Sequence, residues 1–366
     1  MVKTFLKRYG KFCLSSDRKK ASGFTLLELL VAMIVGGLIS AGLLFIVVQL
    51  IQTNLRESAR SDTQRDLQSA IDYIARDVRE AVYVYDAECL LDGPGGTTAT
   101  CPGLRNYLPD GITGTSGFGT SDNVPVLAFW RVDDLPQELK DACANPANNI
   151  AYSQNVTELP APIRGVPCLS GRMYTLVVYS LNRERRTIAN GRARIMRYTL
   201  PQFTSRSAET APPTSVVGWV SPTGRDTSFR AWPVDRSTLS STPVSLQTPR
   251  PTDTNPNEVL TDYVDWFGIY EASGRGRAPD RSAEELVLTP RNGTGTIDST
   301  DPPRGFYVYV RGAAREGDLN QEVIIRIQGD AAGRPGIPDI GPSNRPRVPI
   351  SLETRVLTRG VTNKKL

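Results

Sequence analysis

From Phe24 to Ile51 the chain is apolar at almost every position, with Glu28 as its one charge and Thr25, Ser40 and Gln49 as its other clearly polar side chains. A helix over 24–51 measures about 42 Å at 1.5 Å per residue, more than the roughly 30 Å of bilayer hydrocarbon. The run is therefore long enough to cross a membrane. Leu38-Ile39-Ser40-Ala41-Gly42 is a poor match to the small-residue cleavage site of a secretory signal peptide, which also needs a shorter apolar core. A plain signal anchor stays open on this pattern alone.

Beyond Ile51 the pattern turns amphipathic. Leu67, Ile71, Ile74, Val78 and Ala81/Val82 recur at three- and four-residue steps, while Arg65, Asp66, Asp72, Arg76, Asp77, Arg79 and Glu80 fill the other positions. No proline precedes Pro94, so the expected element is one helix of about sixty residues: a membrane segment over 24–51 and an amphipathic continuation over 52–86. A heptad is not sustained long enough for a coiled coil, so the second half needs a sheet of its own chain. Gly36, Gly37 and Gly42 interrupt the apolar half. They suit close packing between membrane helices or local unwinding, and each weakens a helix by roughly 1 kcal/mol relative to Ala.

After residue 87 the hydrophobic segments become short and alternating. Strands are expected at 124–132, 173–181, 193–200, 215–220, 263–270, 305–310, 322–327 and 349–357, separated by loops rich in Gly, Pro, Ser, Thr and Asn. The fold class that follows is α+β, a long helix packed on a mainly antiparallel sheet with long loops. Loops of this length form subunit contacts or an outward binding surface, or are poorly ordered insertions, the latter weighed most for 221–258 and 271–304.

The charge of +5 changes its meaning once it is located. Lys3, Lys7, Arg8, Lys11, Arg18, Lys19 and Lys20 stand against Asp17 alone within residues 1–23, so the rest of the chain is close to neutral. Basic residues accumulate on the cytoplasmic flank of membrane spans; no specific nucleic acid is expected as a partner. Of the five cysteines, Cys13 lies in the basic leader and Cys89, Cys101, Cys143 and Cys168 lie beyond the apolar run. In an oxidising compartment those four allow three connectivities, of which Cys89–Cys101 with Cys143–Cys168 is the sequence-local choice.

The leader, then Gly23-Phe24-Thr25-Leu26-Leu27-Glu28 and a long apolar helix, resembles the class III signal of type IV prepilins and of the pseudopilins of type II secretion. The resemblance implies a pilin-like fold, cleavage between Gly23 and Phe24 by a prepilin peptidase, removal of residues 1–23, N-methylation of Phe24, and Glu28 as the assembly glutamate that pairs with a neighbouring subunit's N-terminal amine. Major pilins often carry a proline in the apolar segment, and this chain has none there. Its large head looks more like a minor pilin or a J-type or W-type minor pseudopilin, with "RSDTQRDLQSAIDYIARDVREA", "NEVLTDYVDWFGIYEA" and "GFYVYVRG" sharing their texture. Pseudopilins of cyanobacterial polysaccharide-secretion systems are similar in size and layout.

With no histidine in the chain, Ser-His-Asp and Cys-His catalysis are excluded and the commonest metal ligand is missing. No phosphate loop, GxSxG elbow or HExxH is present. Asp133-Asp134 and Asp262/Asp265 are expected to be solvated carboxylates, no metal site or cofactor is assigned, and a loop calcium ion is left open at the oxygen-rich 253–258, which matches no EF-hand spacing. The expected role is a non-enzymatic subunit of an envelope fibre. It spans the inner membrane once, leader cytoplasmic and head periplasmic, before joining an envelope or surface fibre. Its expected partners are prepilin peptidase, other pilin or pseudopilin subunits, the inner-membrane assembly platform and membrane lipid. A membrane-anchored tip adhesin or DNA-uptake subunit that binds through its head loops is the alternative.

Overall fold

A computed structural model describes residues 23–90, 101–109, 123–148, 159–182, 193–204, 213–239, 242–251, 257–266, 270–271, 274–275, 278–290, 305–311, 320–337 and 349–359. In chain order the principal elements are α1 (Leu26–Arg79), β1 (Ala81–Val84), α2 (Ala87–Leu90), β2 (Asn123–Asp134), α3 (Gln137–Ala144), β3 (Arg172–Asn182) and β4 (Ala193–Pro201). There follow β5 (Asn257–Val264), β6 (Tyr270–Glu271), β7 (Gly274–Arg275), β8 (Val287–Thr289), β9 (Phe306–Arg311), β10 (Glu322–Asp330) and β11 (Pro349–Leu357). The chain divides into two compact units, residues 1–54 and 55–366.

The second unit is an antiparallel sheet wrapped on a helix. Strand order is β1-β2-β3-β4-β5-β10-β9-β8, with β11 pairing the other edge of β10. Period-2 alternation sends Phe129, Val177, Tyr179, Ile195, Val308, Val310, Val323 and Ile325 to one face, where they meet Leu67, Ile71, Ile74 and Val78 of α1 in a single buried cluster. Alternate residues Trp130, Leu176, Val178, Tyr198 and Leu200 point the other way, into a second cluster closed by Tyr83, Tyr85, Phe229 and Trp232. Strands β2–β4 are thus buried on both faces. The helix lies so close to β10 that a Cβ on Gly329 would stand 2.4 Å from Leu67 Cδ1; glycine is what permits that approach.

Asp77 ties the end of the helix to three strands. Its carboxylate accepts from Arg131 Nη1 of β2 at 2.6 Å, Arg197 Nε of β4 at 2.9 Å and the Tyr179 hydroxyl of β3 at 2.6 Å. Arg131 also donates to Asp133 at 3.1 Å. An anion in the last turn of a helix faces the negative end of the macrodipole, so the two guanidiniums offset both that and the burial. Burial, then the Asp77 charge, pushes the Tyr179 hydroxyl well above its ordinary value.

The flanks of the sheet are also tied. The Gln321 side chain accepts from the Val84 amide at 2.8 Å and donates to its carbonyl at 2.9 Å, which occupies the outer edge of β1 with a substitute peptide. Thr289 Oγ1 of β8 donates to the Val126 carbonyl of β2 at 3.0 Å. A turn at 331–337 packs Ala331, Ala332 and Ile337 on Ala59 of the helix, and Arg334 pairs with Asp66.

The α+β architecture stands as expected, with four corrections. The helix was expected to reach residue 86 but ends at Arg79, and Ala81–Val84 forms β1, because a β-bulge at Val82 lets alternate residues of this β-branched and aromatic stretch reach both clusters. The strand expected at 215–220 is instead an irregular cover: Gly218 turns the chain at φ 81°, and Trp219 donates to the Tyr174 carbonyl at 3.1 Å. The strand expected at 263–270 begins upstream, as β5, which Tyr263 at φ 62° and Val264 end; Tyr270 belongs to the short β6, and 267–269 lie outside the described residues. Residues 221–239, expected as an outward or poorly ordered loop, seat Phe229, Ala231 and Trp232 in the core.

Two outcomes follow. Asp77→Ala leaves two buried guanidiniums without their anion and lowers unfolding stability by about 3–5 kcal/mol, read as a lower urea midpoint for the full chain in detergent. Burial holds Tyr309 up to about 12 against an ordinary 10, and it raises Tyr83, Tyr85, Tyr179 and Tyr307 as well. The unfolded chain therefore releases phenolic protons first. This contribution to stability is complete below about pH 10 and is lost as pH rises through about 12, and phenolate absorbance should lag in the folded protein.

Candidate functional site

The sequence Thr25-Leu26-Leu27-Glu28 starts the helix by a local rule. Thr25 is the cap: its Oγ1 accepts from the Glu28 amide at 3.3 Å, and its carbonyl accepts from Glu28 and Leu29 at 3.0 and 3.1 Å. A Thr followed three residues later by Glu is the capping-box pattern, and it places the Glu28 carboxylate in the first turn, at the positive end of the macrodipole. The sequence signal for this cap, T-x-x-E before an apolar run, lies beside the carboxylate that the sequence singles out. Gly23 and Phe24 lie just outside the helix in irregular backbone, both exposed, so the peptide bond joining them lies outside the helical hydrogen-bond ladder. Glu28 forms no ion pair with any described residue.

From Leu26 onward the first unit's helix keeps its apolar side chains exposed: Phe24 is 81%, Leu26 85% and Leu44 68% accessible. It contains the one described helix that is apolar and long enough to cross a membrane, with a window of mean hydropathy 2.7 of which none is buried. The helix runs without a break through Gly36, Gly37 and Gly42, and a Cβ at any of them would meet nothing within 4 Å. Packing within the first unit therefore does not require those glycines.

In the second unit the cysteines pair as expected. Cys89, on α2, bonds Cys101, and Cys143, on α3, bonds Cys168 before β3, each with Cα atoms 5.5 Å apart. Asp86 caps α2 by accepting from the Cys89 amide at 2.9 Å, which holds that cysteine against the second core cluster. Cys13 lies outside the described residues.

The carboxylates of the two acidic pairs are engaged in ion pairs and hydrogen bonds. Asp133 binds Arg131 and Asp134 binds Lys140 at 3.0 Å; that hydrogen bond and charge hold the Asp134 carboxyl below its ordinary value. Asp262 pairs with Arg194 at 3.5 Å. Asp265, expected to be solvated, is fully buried and accepts from the Gln328 side chain at 3.0 Å. Among the described residues no three His, Cys, Asp or Glu side chains gather as a metal site would require. The calcium candidate at 253–258 lies largely outside the described residues.

Residues 18–44 match the prokaryotic N-terminal methylation motif, which spans the end of the leader, Gly23, Phe24, Glu28 and the first part of the apolar helix. No curated protein and no solved structure matches the chain. The motif together with the helix supports a membrane-anchored, single-pass type IV pilin-like protein. It implies processing by prepilin peptidase and assembly with other pilins, and it points to a structural subunit.

Peptide mapping of the unreduced protein should recover Cys89 linked to Cys101 and Cys143 linked to Cys168. Replacing Cys89 and Cys101 together by Ser should lower stability by about 2–4 kcal/mol, read as a lower melting temperature.

Proposed function

We propose that the chain is a minor pilin or minor pseudopilin, a subunit of a type IV pilus or type II secretion-like envelope fibre. The observation that carries the reading is the match to the methylation motif at residues 18–44 on a capped helix whose apolar side chains have no partners in their own unit. The leader stays cytoplasmic by its basic charge, and the head crosses to the oxidising side, where its two disulfides form. Prepilin peptidase cuts between Gly23 and Phe24 and methylates the new amine of Phe24. The assembly platform then draws the subunit from lipid into the fibre.

Glu28 gives the step its register. A carboxylate held in lipid costs several kcal/mol unless it finds a partner, and among the described residues its own chain supplies none. The N-terminal amine of a neighbouring subunit supplies the missing charge only when the helices are staggered correctly. Pairing is thus gained on assembly, while the exposed apolar stripe exchanges lipid contacts for contacts with neighbouring helices and Gly36, Gly37 and Gly42 admit close approach.

Coexpression with a prepilin peptidase tests the reading. The wild-type chain should lose residues 1–23, and Gly23→Leu should stay uncut. Glu28→Ala should be cut normally yet fall about tenfold or more in fibre incorporation, the equivalent of an ion pair of about 1.4 kcal/mol. A Glu28→Ala subunit recovered from fibres at the wild-type level would refute the assembly role.

A further inference from the structure

Beside the start of β3 the head carries a cavity of about 360 Å³, within the roughly 300–1,000 Å³ of small-ligand clefts. One wall is the turn that leads into β3. Gly165 at φ 78° and Gly171 at φ 63° bend it, and the Cys143–Cys168 disulfide fastens it to α3. Ser170 Oγ braces it by donating to the Pro167 carbonyl at 3.1 Å and accepting from the Arg172 amide at 3.3 Å. Another wall is the irregular cover that follows β4. There the Val216 amide donates to the Gln202 carbonyl at 2.8 Å, and the Trp219 indole donates to the Tyr174 carbonyl at 3.1 Å. These bonds form without a ligand, so the walls are set in advance and little ordering is left to oppose binding.

The lining has a consistent chemistry. Trp219 and Tyr174 contribute partly exposed rings, and Tyr174 is steadied edge-on against Phe229 with ring centroids 5.6 Å apart. Arg172, Gln202, Ser221 and Thr223 supply the polar groups. Among the described residues the Tyr174 hydroxyl and the Gln202 side-chain amide have no hydrogen-bond partner, and Arg172 forms no ion pair. Asp134 stands opposite Arg172 in the β2–β3 ladder, yet its ion pair is with Lys140 at 3.0 Å. No described lining residue is a carboxylate, and the charge on the wall is positive.

A sugar acid answers each of these features. The C–H face of a pyranose packs on the negative face of an aromatic ring. Its hydroxyls both donate and accept, which suits the amide of Gln202 and the hydroxyls of Tyr174, Ser221 and Thr223. A carboxylate on the ring supplies the paired acceptors that a guanidinium fork fits. An extended peptide would instead take its affinity from an open strand edge, and β3 is paired on both sides. We propose that this cavity binds a carboxylate-bearing sugar unit of an acidic polysaccharide: Arg172 takes the carboxylate, Trp219 the ring face and Gln202 the hydroxyls. This inference rests on the head geometry and does not depend on the processing or fibre role.

Titration of the full-length protein in detergent, followed by tryptophan fluorescence, tests it. Of the four tryptophans, Trp130, Trp232 and Trp266 are buried and Trp219 is partly exposed, so a ligand in the cavity acts on the emission of Trp219. The probes are trimers of galacturonate, glucuronate and mannuronate. At least one should give a saturable change that is absent from Trp219→Phe, and its uncharged methyl ester should bind about tenfold more weakly. Arg172 is exposed, so Arg172→Gln should keep its melting temperature and lose affinity by about the same factor. Arg60→Gln, which removes an equal charge from an exposed position on α1, should bind as the wild type does. The proposal is overturned by no saturable change with any of the three acids, by a change that survives Trp219→Phe, or by an ester bound as tightly as its acid. Wild-type affinity in Arg172→Gln, an equal loss in Arg60→Gln, or a hexaglutamate peptide that competes as well as the sugar would overturn it too.

Discussion

A helix that ends in an anion needs cations, and in this protein the cations come from the sheet. Asp77 stands at the unfavourable end of α1, and Arg131, Arg197 and Tyr179 reach it from three adjacent strands. The network does more than neutralise a charge. With strands about 4.8 Å apart, contacts from β2, β3 and β4 to one carboxylate permit little rotation or sliding of the helix. The stripe of Leu67, Ile71, Ile74 and Val78 is thereby directed onto one face of the sheet, and Gly329 lets the helix sit against β10. Hydrophobic burial supplies the larger share of the stability, since removing apolar area from water is worth about 25 cal/mol per Å²; the ion network selects one arrangement.

The first unit obeys the opposite rule. Its helix has a good cap and good continuity, yet its apolar side chains meet no partner within the unit, so its favourable environment must be lipid or other helices. Glu28 is the exception within that surface. The Thr25 cap and the helix dipole favour a charge at its position, and the surrounding apolar residues make an unpaired one costly in lipid. The proposed pairing of Glu28 with a positive group brought to the start of the helix would satisfy both conditions.

The parts legible in the sequence are those governed by local periodicity. The apolar run, the Leu67–Val78 stripe and the strands β2, β3, β4, β9, β10 and β11 declared themselves by their spacing, and the head disulfides by the parity of the cysteines. The misreadings have one physical origin, tertiary contacts that outweigh local pattern. Val82-Tyr83-Val84 continues the helical step in sequence, but pairing with β2 and burial on both sides make it a strand. Val216 and Trp219 look like strand residues, yet they serve as a cover over the outer face, with Gly218 as the turn. Asp77 was placed on the polar face of the helix, because nothing local shows that Arg131 and Arg197, so distant in sequence, converge on it. Asp265, buried beside Gln328, was misjudged for the same reason.

The proposed role requires a chain that is matured at its start, carries an apolar helix for lipid or fibre, and is held by its head. The most direct test is the mass of the N-terminal peptide of the protein isolated from its native membranes. The account predicts a peptide that begins at Phe24 and carries one methyl group on its amine. A peptide that begins at Met1 with the leader intact on membrane-inserted protein, or one cut elsewhere in the apolar run, would contradict it.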